Sequence, residues 1–351
     1  MITRTYHIDP GNIDTPAARE ALDRAAVVIG QGGLVAFPTE TVYGLGANAL
    51  DSIGVARIFE AKRRALNDPL IVHVRAHELA IPEAALAGLQ ANGVIGDLAP
   101  RQVLQASSLM RRFWPGPLTL VLPRGARIPA NVTSGGDTVG VRMPHHPIAL
   151  ALLERAGVPI AAPSANLFGH VSPTSARHVL DDLDARIDLI LDGGPTAIGV
   201  ESTVLDLSGK GPRILRPGGA SRQEIEACIG PLLPTKGPGA SLRSPGLLEK
   251  HYAPRAALKV LPDLETIRIA LEIAETAGRR VGLLLNASDR AAFPAALPVF
   301  VLGDTPEAVA RDLYAGLRAL DDAGAEVILC RAVSGPGLAE AIADRLRRAA
   351  R

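Results

Sequence analysis

Short apolar runs alternate with stretches of helical periodicity through residues 1–233. Each run has the length of a strand and is bounded by turn residues, as in "LTLVLP" and "TVGVRMP". Several runs follow one another with no helix between them, which favours a mixed, twisted sheet over an all-parallel one. The predicted fold class is therefore α/β. Strands are predicted at "LVAFPT", "LIVHV", "LTLVLP", "TVGVRMP", "PIAAPSA", "DLILDG", "STVLDLS" and "RILRPG", and helices over Thr15–Gly30, Ser52–Arg64, Val103–Phe113 and His146–Ala156.

The pattern changes at residues 234–256, "PTKGPGASLRSPGLLEKHYAPRA", where prolines and glycines interrupt it and neither period persists. This composition is typical of a linker. Beyond it, the apolar runs "RVGLLL", "PVFVL" and "EVILC" alternate with helical stretches at 305–323 and 338–350. The sequence thus predicts a large α/β domain at 1–233, a linker at 234–256 and a smaller Rossmann-like α/β domain at 257–351.

Composition narrows the functional classes. The 351 residues are 47% hydrophobic, enough for two cores, and 37 Lys plus Arg against 36 Asp plus Glu give a net charge of +1. That balance provides no electrostatic reason for general binding to nucleic acid or membrane. Cys228 and Cys330 are far apart and lack metal-ligand spacing, which indicates neither a disulfide nor a zinc site. No signal peptide or membrane-spanning segment is recognised, so a cytoplasmic protein is expected. No set of metal-ligating residues is predicted.

The familiar phosphate-binding and catalytic strings, GxxxxGK[ST], GxSxG and HExxH, do not occur, and "GLGANA" lacks the third glycine of a dinucleotide fingerprint. Instead, polar residues follow the ends of strands and helices, where α/β folds build ligand sites. In "AFPTETVYGLGANAL" the apolar run stops at Pro38 and gives way to Thr39, Glu40, Thr41 and Tyr43, then to paired glycines. This density of hydroxyls indicates a polar site.

A pair of cations, Lys62 and Arg64, occurs in "EAKRRALNDPLIVHV". Positions two apart point to nearly opposite sides of a helix, so the two side chains converge only if the helix ends there. Asn67, Asp68 and Pro69 are strong stop signals and favour such an end. Alternatively, both cations only complement the dipole at the helix C-terminus.

A strand of small residues in "PIAAPSANLFGHVSPTSARHV" opens at Pro163 into Ser164 and Asn166. In an extended chain these two side chains face one side, and the small neighbours allow a ligand to approach the backbone. The alternative is a turn followed by a helix cap, with Thr174 or Ser175 capping a helix that starts at Ala176.

The remaining candidates are dispersed along the predicted strands. An arginine within a run that otherwise reads as buried strand is costly unless an anion meets it. The anion could be a buried carboxylate of the protein, or a ligand such as a polyphosphate or amino-acid carboxylate if the strand ends cluster near Lys62 and Arg64. The dispersed residues are His73, Thr138, Arg142, Ser202, Thr203 and Arg216.

Taken in order, these motifs resemble the long, two-domain form of the threonylcarbamoyl-AMP synthase family, which is built on a YrdC-like domain. The resemblance runs from about residue 10 to residue 256, and residues 257–351 add the length and pattern of the family's C-terminal domain. Its motifs are "GGLVAFPTETVYGLGANA", Lys62-x-Arg64 followed by "NDPLIVHV", "FWPGPLTLVL", "TVGVRMP", Ser164-x-Asn166, "ESTVLDL", "ILRPG" and "SPG....HYAP".

The resemblance implies an enzyme that condenses L-threonine, bicarbonate or carbon dioxide, and ATP into L-threonylcarbamoyladenylate and releases pyrophosphate. Other proteins then transfer the threonylcarbamoyl group to an adenosine beside the anticodon of tRNA. No protein nucleophile is required, so catalysis would rest on positioning and on neutralising phosphate charge, with Mg²⁺ accompanying ATP. Direct binding of tRNA is left open.

The family's functional residues are carried over by motif. Lys62 and Arg64 are the expected catalytic cations beside the phosphates. The family pattern has asparagine where this chain has Asp68, so either Asp68 approaches the metal side of ATP or Asn67 replaces it. The expected ATP-binding residues are Arg64, Asp68, Thr138, Ser164, Asn166, Thr174, Arg216 and Tyr252, and the expected threonine-binding residues are Thr41, His73, Arg142 and Ser202.

Two other functions compete with this interpretation. One is the carbamoyl-adenylate chemistry of larger YrdC-like proteins, although the cysteine pairs expected in those proteins are missing. The other is an RNA-binding YrdC-like module without turnover, which would depend on one local basic cavity. Within the linker, "SPGLLEKHYAP" at 244–254 is unusually apolar for a tether. It is predicted to cover the site as a lid, with Tyr252 on the nucleotide; a static linker between domains is the alternative.

Overall fold

The N-terminal part of the chain is built on one ten-stranded mixed sheet. The computed structural model describes residues 2–75, 80–234 and 252–350. The strands lie in the order β1-β8-β2-β3-β7-β4-β6-β5-β9-β10, with parallel and antiparallel pairs interspersed. The mixed α/β sheet predicted from the sequence is therefore confirmed. The strands are β1 Arg4–His7, β2 Val35–Phe37, β3 Gly44–Asn48, β4 Ile71–His73, β5 Leu118–Pro123, β6 Thr138–Arg142, β7 Ile160–Ala161, β8 Leu189–Asp192, β9 Thr203–Asp206 and β10 Arg213–Arg216.

Helices cover both faces of this sheet but not all of it. Helices α1 and α5 pack together on one face, against the side chains of β2, β7 and β8. The other helices bury their apolar stripes on the opposite face, in the largest core cluster. Over β4, β5, β9 and β10 the first face carries only a small group of buried aliphatic residues. The helices are α1 Pro16–Gly30, α2 Ser52–Lys62, α3 Pro82–Ala91, α4 Pro100–Phe113, α5 Pro147–Ala156, α6 Ala176–Leu183 and α7 Arg222–Ile229.

The C-terminal part is a second sheet of four parallel strands in the order β11-β14-β12-β13. Helix α8 covers one face, and α9 and α10 cover the other, because successive strand residues alternate between two separate core clusters. This is the smaller Rossmann-like α/β unit that the sequence predicts. Its elements are β11 Ala257–Leu261, α8 Leu264–Thr276, β12 Val281–Asn286, a 3-10 helix Ala287–Ala292, β13 Val299–Leu302, α9 Pro306–Asp322, β14 Val327–Arg331 and α10 Leu338–Ala349.

Local sequence signals account for the helix ends near the site. Asp51 caps the start of α2, since its carboxylate accepts from the backbone N–H of Ile53. The helix stops at Lys62 because Arg63 adopts a left-handed conformation, with φ of 51°. Ser175 caps α6, as the cap alternative for that motif proposed. The expected end of α2 at the Lys62-x-Arg64 motif is thus confirmed.

Some elements lack a clear sequence signal. Strand β1 is a short edge strand with mostly exposed side chains, and α3 and α7 are short. Strand β3 contains Gly44 and Gly46, which the sequence does not mark as strand residues, and both lie in a paired strand. A Cβ at Gly46 would lie 2.8 Å from both Ile160 Cγ2 and Phe37 Cε1, so close packing within the sheet explains this glycine. The division at residues 233 and 257 stays a prediction.

Within the described ranges, every helix is too short or too polar to traverse a lipid bilayer. The interior of the chain is instead divided among the cores of the two sheets.

Candidate active site

Eight of the thirteen residues predicted for the site line one cavity. It lies at the ends of β4, β6 and β10 and at the start of β9. Its volume is about 50 Å³. The lining consists of Thr39, Thr41, Val42, Gly44, Arg64, Ile71, His73, Arg142, Ala162, Pro163, Ser164, Glu201, Ser202, Arg216 and Tyr252.

Arg142 ends β6 and is held by a carboxylate that sequence reasoning did not select. Its Nη2 donates to Oε1 of Glu40 at 2.6 Å, and its Nε donates to the carbonyl of Gly116 at 3.2 Å. The other oxygen of Glu40 accepts from the backbone N–H of His145. Arg142 is 4% exposed and Glu40 6%. A buried protein carboxylate therefore orients this guanidinium, as one interpretation of a strand arginine proposed, and because Arg142 also lines the cavity its role toward a ligand anion stays a prediction.

Arg216 ends β10 and lies against the start of β9. Its Nη2 donates to the carbonyl and to the hydroxyl of Ser202, at 3.0 and 3.2 Å. The Ser202 hydroxyl also shares a 2.9 Å hydrogen bond with Thr119 Oγ1 on β5. Three adjacent strands thus fix this corner of the cavity. Thr203 turns away from it and donates to the carbonyl of Ala220.

Arg64 follows the end of α2 and forms a buried ion pair. Its Nη2 lies 2.8 Å from Oδ2 of Asp68, and it also donates to the carbonyls of Asp68 and Pro69. Asp68 is 3% exposed, whereas Asn67 is exposed. Of the two residues that the sequence leaves open, Asp68 is the one beside the arginine of the cavity wall. The acid is compensated there by Arg64.

Lys62 is buried just outside the cavity lining. Its Nζ donates to the backbone carbonyls of Ser164 and Asn166, each at 2.5 Å. Burial, reinforced by the neighbouring Arg64, holds the pKa of the Lys62 ammonium well below its usual range. Lys62 thus ties the end of α2 to the loop after β7. Its predicted place beside the phosphates stays a prediction.

The hydroxyl-rich loop after β2 folds on itself. Thr39 Oγ1 shares a 2.8 Å hydrogen bond with Thr41 Oγ1 and donates to the carbonyl of Val42. His73 ends β4 across the cavity, where burial and the nearby Arg142 lower the pKa of its imidazole to about 3. Its Nδ1 has no hydrogen-bond partner among the residues that the structure describes. A buried neutral imidazole and two threonine hydroxyls therefore face the same space.

Three further predicted residues, Asn166, Thr174 and Thr138, lie outside the lining. Ser164 is in the wall, but the chain bends directly after it. The expectation that Asn166 faces the same side is therefore wrong, and the Asn166 amide donates to the carbonyls of Leu167 and His170. Thr174 is buried beside His178. Thr138 starts β6, four residues from Arg142 and roughly 13 Å along the strand. Their roles toward ATP stay predictions.

Tyr252 and Glu201 complete the wall. Tyr252 is 1% exposed and stacks on Tyr314 of α9, with ring centroids 5.9 Å apart. Most of the predicted lid, residues 244–251, lies outside the described residues. Glu201 is not among the site residues predicted from the sequence. It directly precedes Ser202 in "ESTVLDL", and a charged residue at the start of a buried strand could have indicated a functional residue. Glu40 carries the same signal in "FPTETVYG".

Charge defines what the cavity can hold. Three arginines line it, against the single carboxylate of Glu201, and His73 is neutral at ordinary pH. The hydroxyls of Thr41, Ser164 and Ser202 add hydrogen-bonding groups but no obvious nucleophile–base pair, since no described histidine contacts them. The arrangement is suited to positioning an anionic ligand rather than to covalent catalysis.

Comparison with known proteins agrees with this geometry. The Sua5/YciO/YrdC family model, described as "Telomere recombination", matches residues 27–218, and the model "Threonylcarbamoyl-AMP synthase, C-terminal domain" matches residues 220–351. The threonylcarbamoyl-AMP synthase of Pyrococcus abyssi is 46% identical over 335 residues, covering 93% of this chain and 92% of the relative. The Bacillus subtilis enzyme of the same name is 44% identical over 334 residues, with the same coverage of 93% and 92%.

A solved structure supports the same relationship. The crystal structure of P. abyssi Sua5 complexed with L-threonine has a TM-score of 0.85 and 42% identity, and the match covers 100% of this chain and 98% of that one. Fold, site and relatives together define a class: two-domain nucleotidyltransferases with a YrdC-like catalytic domain. Within that class, the chain belongs to the threonylcarbamoyl-AMP synthase family, of the Sua5 type.

Proposed function

We propose that this cavity makes L-threonylcarbamoyladenylate from L-threonine, bicarbonate or carbon dioxide, and ATP, with release of pyrophosphate. The observation that carries the proposal is the convergence of Arg64, Arg142 and Arg216, all buried, on one cavity lined by hydroxyls. Buried guanidinium groups are suited to carboxylate and phosphate groups, and this pair of substrates provides both. The relatives' names and the L-threonine in P. abyssi Sua5 support it.

Threonine is proposed to bind at the β4–β6 side of the cavity. Arg142, oriented by Glu40, is placed for a two-point contact with the carboxylate. Thr41 and Ser202 offer hydroxyls to a small polar amino acid. His73 has an unused Nδ1 among the described residues, which suits one further hydrogen bond to threonine.

ATP is proposed to bind at the side formed by α2, the loop after β7, and β10. Arg64 and Arg216 bring two cations to its phosphates, and Ser164 and Tyr252 lie in the adjoining wall. The loops behind the ATP side are held by side-chain contacts of Asp68, Asn166 and Thr174. Thr138 would have to contact ATP from the far end of β6.

The chemistry needs positioning more than proton transfer. The neutral threonine amine would add to carbon dioxide and release one proton to solvent, which gives a carbamate. A carbamate oxygen would then attack the α-phosphorus of ATP as the bond from that phosphorus to pyrophosphate breaks in line. The chain would hold the carbamate and the phosphates in line and offset the charge that develops on the leaving group. Lys62 and Arg64 are the proposed catalytic cations beside the phosphates; Arg64 lines the cavity, and Lys62 also positions the loop whose carbonyls accept from its ammonium.

Mg²⁺ is proposed to arrive with ATP rather than in a cage of protein ligands. Among the described residues, no three His, Cys, Asp or Glu side chains are grouped to hold a metal. Asp68 is paired with Arg64, and Glu201 is paired with Arg345, so neither offers an uncompensated carboxylate. Magnesium bound largely through phosphates and water is common in nucleotide sites. Downstream, the adenylate would supply the proteins that transfer threonylcarbamoyl to tRNA.

One assay tests the proposed reaction. Pyrophosphate release is measured with ATP, threonine and bicarbonate together, and then with each one omitted. Release should depend on all three, with alanine in place of threonine as the matched control. Release that persists without threonine would contradict the assignment, and tight salt-dependent RNA binding without turnover would favour the RNA-binding alternative.

A further inference from the structure

The C-terminal part of the chain reaches the cavity wall through one buried arginine. Arg345, on α10, is 1% exposed; its Nε donates to Oε2 of Glu201 at 2.7 Å and its Nη2 donates to the carbonyl of Pro217 at 3.0 Å. Its guanidinium carbon lies 5.2 Å from the ring centroid of Tyr252. Glu201 and Tyr252 line the cavity, whereas Arg345 does not. A side chain of the second domain therefore supports two wall residues of the site.

The carboxylate of Glu201 is fully occupied by donors from the protein. Ser172 donates to Oε1 at 2.6 Å, and the hydroxyl of Tyr314 lies 3.2 and 3.1 Å from the two oxygens. Burial alone would raise the pKa of Glu201, but the charges of Arg345 and Arg216 outweigh it and hold the pKa at about 2. Glu201 is thus an ionised anchor, not a proton acceptor.

This anchor lies directly before the residue that fixes the arginine of β10. Ser202 is the next residue, and its carbonyl accepts from Nε and Nη2 of Arg216. The carbonyl of Glu201 accepts from the backbone N–H of Gly219 at 3.3 Å. Because Ser202 follows Glu201 directly, a displacement of the Glu201 backbone would shift the carbonyl and hydroxyl against which Arg216 rests.

We propose that Arg345 and Tyr314 are positioning residues for the reaction, because they anchor Glu201 and thereby set the place of Ser202 and Arg216 in the cavity wall. This gives the C-terminal domain a defined part in substrate binding. The inference rests on the proposed function, since it assigns substrate contacts to Ser202 and Arg216.

A second interdomain ion pair provides a matched control for the loss of a contact that only holds the two domains together. Arg318, on α9, also bridges the domains: its Nη2 lies 2.8 Å from Oδ2 of Asp182 and also donates to the carbonyl of Val171. None of these three residues lines the cavity. Arg318→Met therefore removes an interdomain ion pair and leaves every residue that contacts the Glu201 carboxylate unsubstituted, although the carbonyl of Val171 that it releases directly precedes Ser172.

The decisive variant is Tyr314→Phe, because it removes one hydroxyl and no charge. Arg345→Met alone leaves a buried carboxylate without its ion-pair partner and can unfold the chain, so the Glu201→Gln/Arg345→Met double variant accompanies it. Circular dichroism and thermal unfolding establish that each protein is folded. Steady-state pyrophosphate release with threonine and ATP varied separately gives KM and kcat, and calorimetry gives both affinities without turnover.

We expect Tyr314→Phe to raise KM for both substrates roughly tenfold, the size expected for a lost hydrogen bond to a charged group, with a smaller change in kcat. The folded double variant should show the same rise, while Arg318→Met keeps the original KM even if its melting temperature falls. Unchanged KM and affinities in Tyr314→Phe and the double variant would overturn the inference, as would an equal rise in Arg318→Met. Loss of substrate-dependent release in the unsubstituted protein would instead contradict the proposed function.

Discussion

Each arginine in the cavity has its own buried partner. Arg142 pairs with Glu40, Arg64 with Asp68, and Arg216 rests on Ser202. The partners hold the guanidinium groups in fixed orientations, which lowers the entropy lost when a ligand binds. A buried arginine that pairs with a protein carboxylate can therefore still be placed to bind a ligand anion.

The first prediction separates the two sides of the cavity. Arg142→Ala should weaken threonine binding by roughly tenfold to a hundredfold, the range for hydrogen bonds between charged groups, and affect ATP less. Arg216→Ala should show the opposite preference. Isothermal calorimetry with each substrate measures both. Unchanged threonine affinity in Arg142→Ala would remove that residue from the amino-acid site.

The second prediction concerns pH. His73 has a pKa of about 3 in the folded protein, below the ordinary 6.5, so the unfolded chain binds a proton first as pH falls. The stability due to the neutral imidazole is complete above pH 6.5 and is lost progressively between pH 6.5 and 3. The loss should approach about 1.4 kcal/mol per pH unit within that window.

Urea unfolding of the protein and of His73→Gln across pH 8 to 4 tests this prediction. The variant should show a shallower fall in the free energy of unfolding on the acid side. The difference at pH 8, where histidine is neutral in both states, measures packing alone. Parallel curves for the two proteins would contradict the assignment.

At the scale of elements, the end of α2 determines the geometry of the ATP side. The helix stops at Lys62 because Arg63 turns left-handed, and the next residue enters the cavity wall. The stop releases Lys62 and Arg64 from the opposite directions that a continuing helix would impose. Lys62 then reaches the loop after β7, and Arg64 reaches Asp68.

The third prediction tests this turn. Lys62→Ala and Arg64→Ala should each reduce turnover by roughly a hundredfold with the fold retained, because one loses the support of the Ser164 loop and the other a cation at the phosphates. Arg63→Asn is the matched control, since Arg63 is exposed and asparagine tolerates the left-handed conformation. Near-normal rates in either alanine variant, measured by pyrophosphate release, would favour the helix-dipole interpretation.

At the scale of the whole molecule, the two domains share one apolar cluster. Val42, Val171 and Val200 of the first domain pack with Val309 and Ala310 of α9 in the second. The interface also contains the buried Arg345–Glu201 pair. Packing of this kind couples the two domains, so we expect them to unfold in one transition.

The fourth prediction uses two glycines with the same backbone conformation. Gly199 has φ of 81°, and a Cβ there would lie 2.3 Å from the backbone carbonyl of Ala310. Gly194 has φ of 79° and nothing within 4 Å of such a Cβ. Gly199→Ala should therefore weaken docking of α9 and lower the melting temperature well beyond Gly194→Ala, which bears only the cost of the conformation, about 1 kcal/mol.

Differential scanning calorimetry distinguishes the outcomes. Gly199→Ala should separate the single transition into two or shift it strongly, and should reduce activity because the backbone N–H of Gly199 donates to the carbonyl of Thr41 at 3.1 Å. Equal melting curves for the two variants would show that the close contact with α9 does not hold the domains together.

The sequence by itself determined most of the elements and most of the cavity residues. Apolar periodicity predicted the mixed sheet and the second α/β unit, and stop signals predicted the end of α2, because these depend on neighbours along the chain. Residues at strand ends, such as Arg142 and Ser202, were found because a polar group in an apolar run is costly without a partner. Of the residues carried over by motif, eight line one cavity in the structure.

Only the tertiary structure decided which partners these residues have. The sequence marks Glu40 and Glu201 only as charges beside apolar runs, and their arginine partners on β6 and α10 are known only from the packed structure. The same holds for Asn166, which leaves the face of Ser164 because the chain bends, and for Thr138, placed at the far end of its strand. Arg345, which contacts Glu201, is 144 residues away from it in the sequence. Contacts at such separations are set by how sheets and domains pack, and no local pattern encodes them.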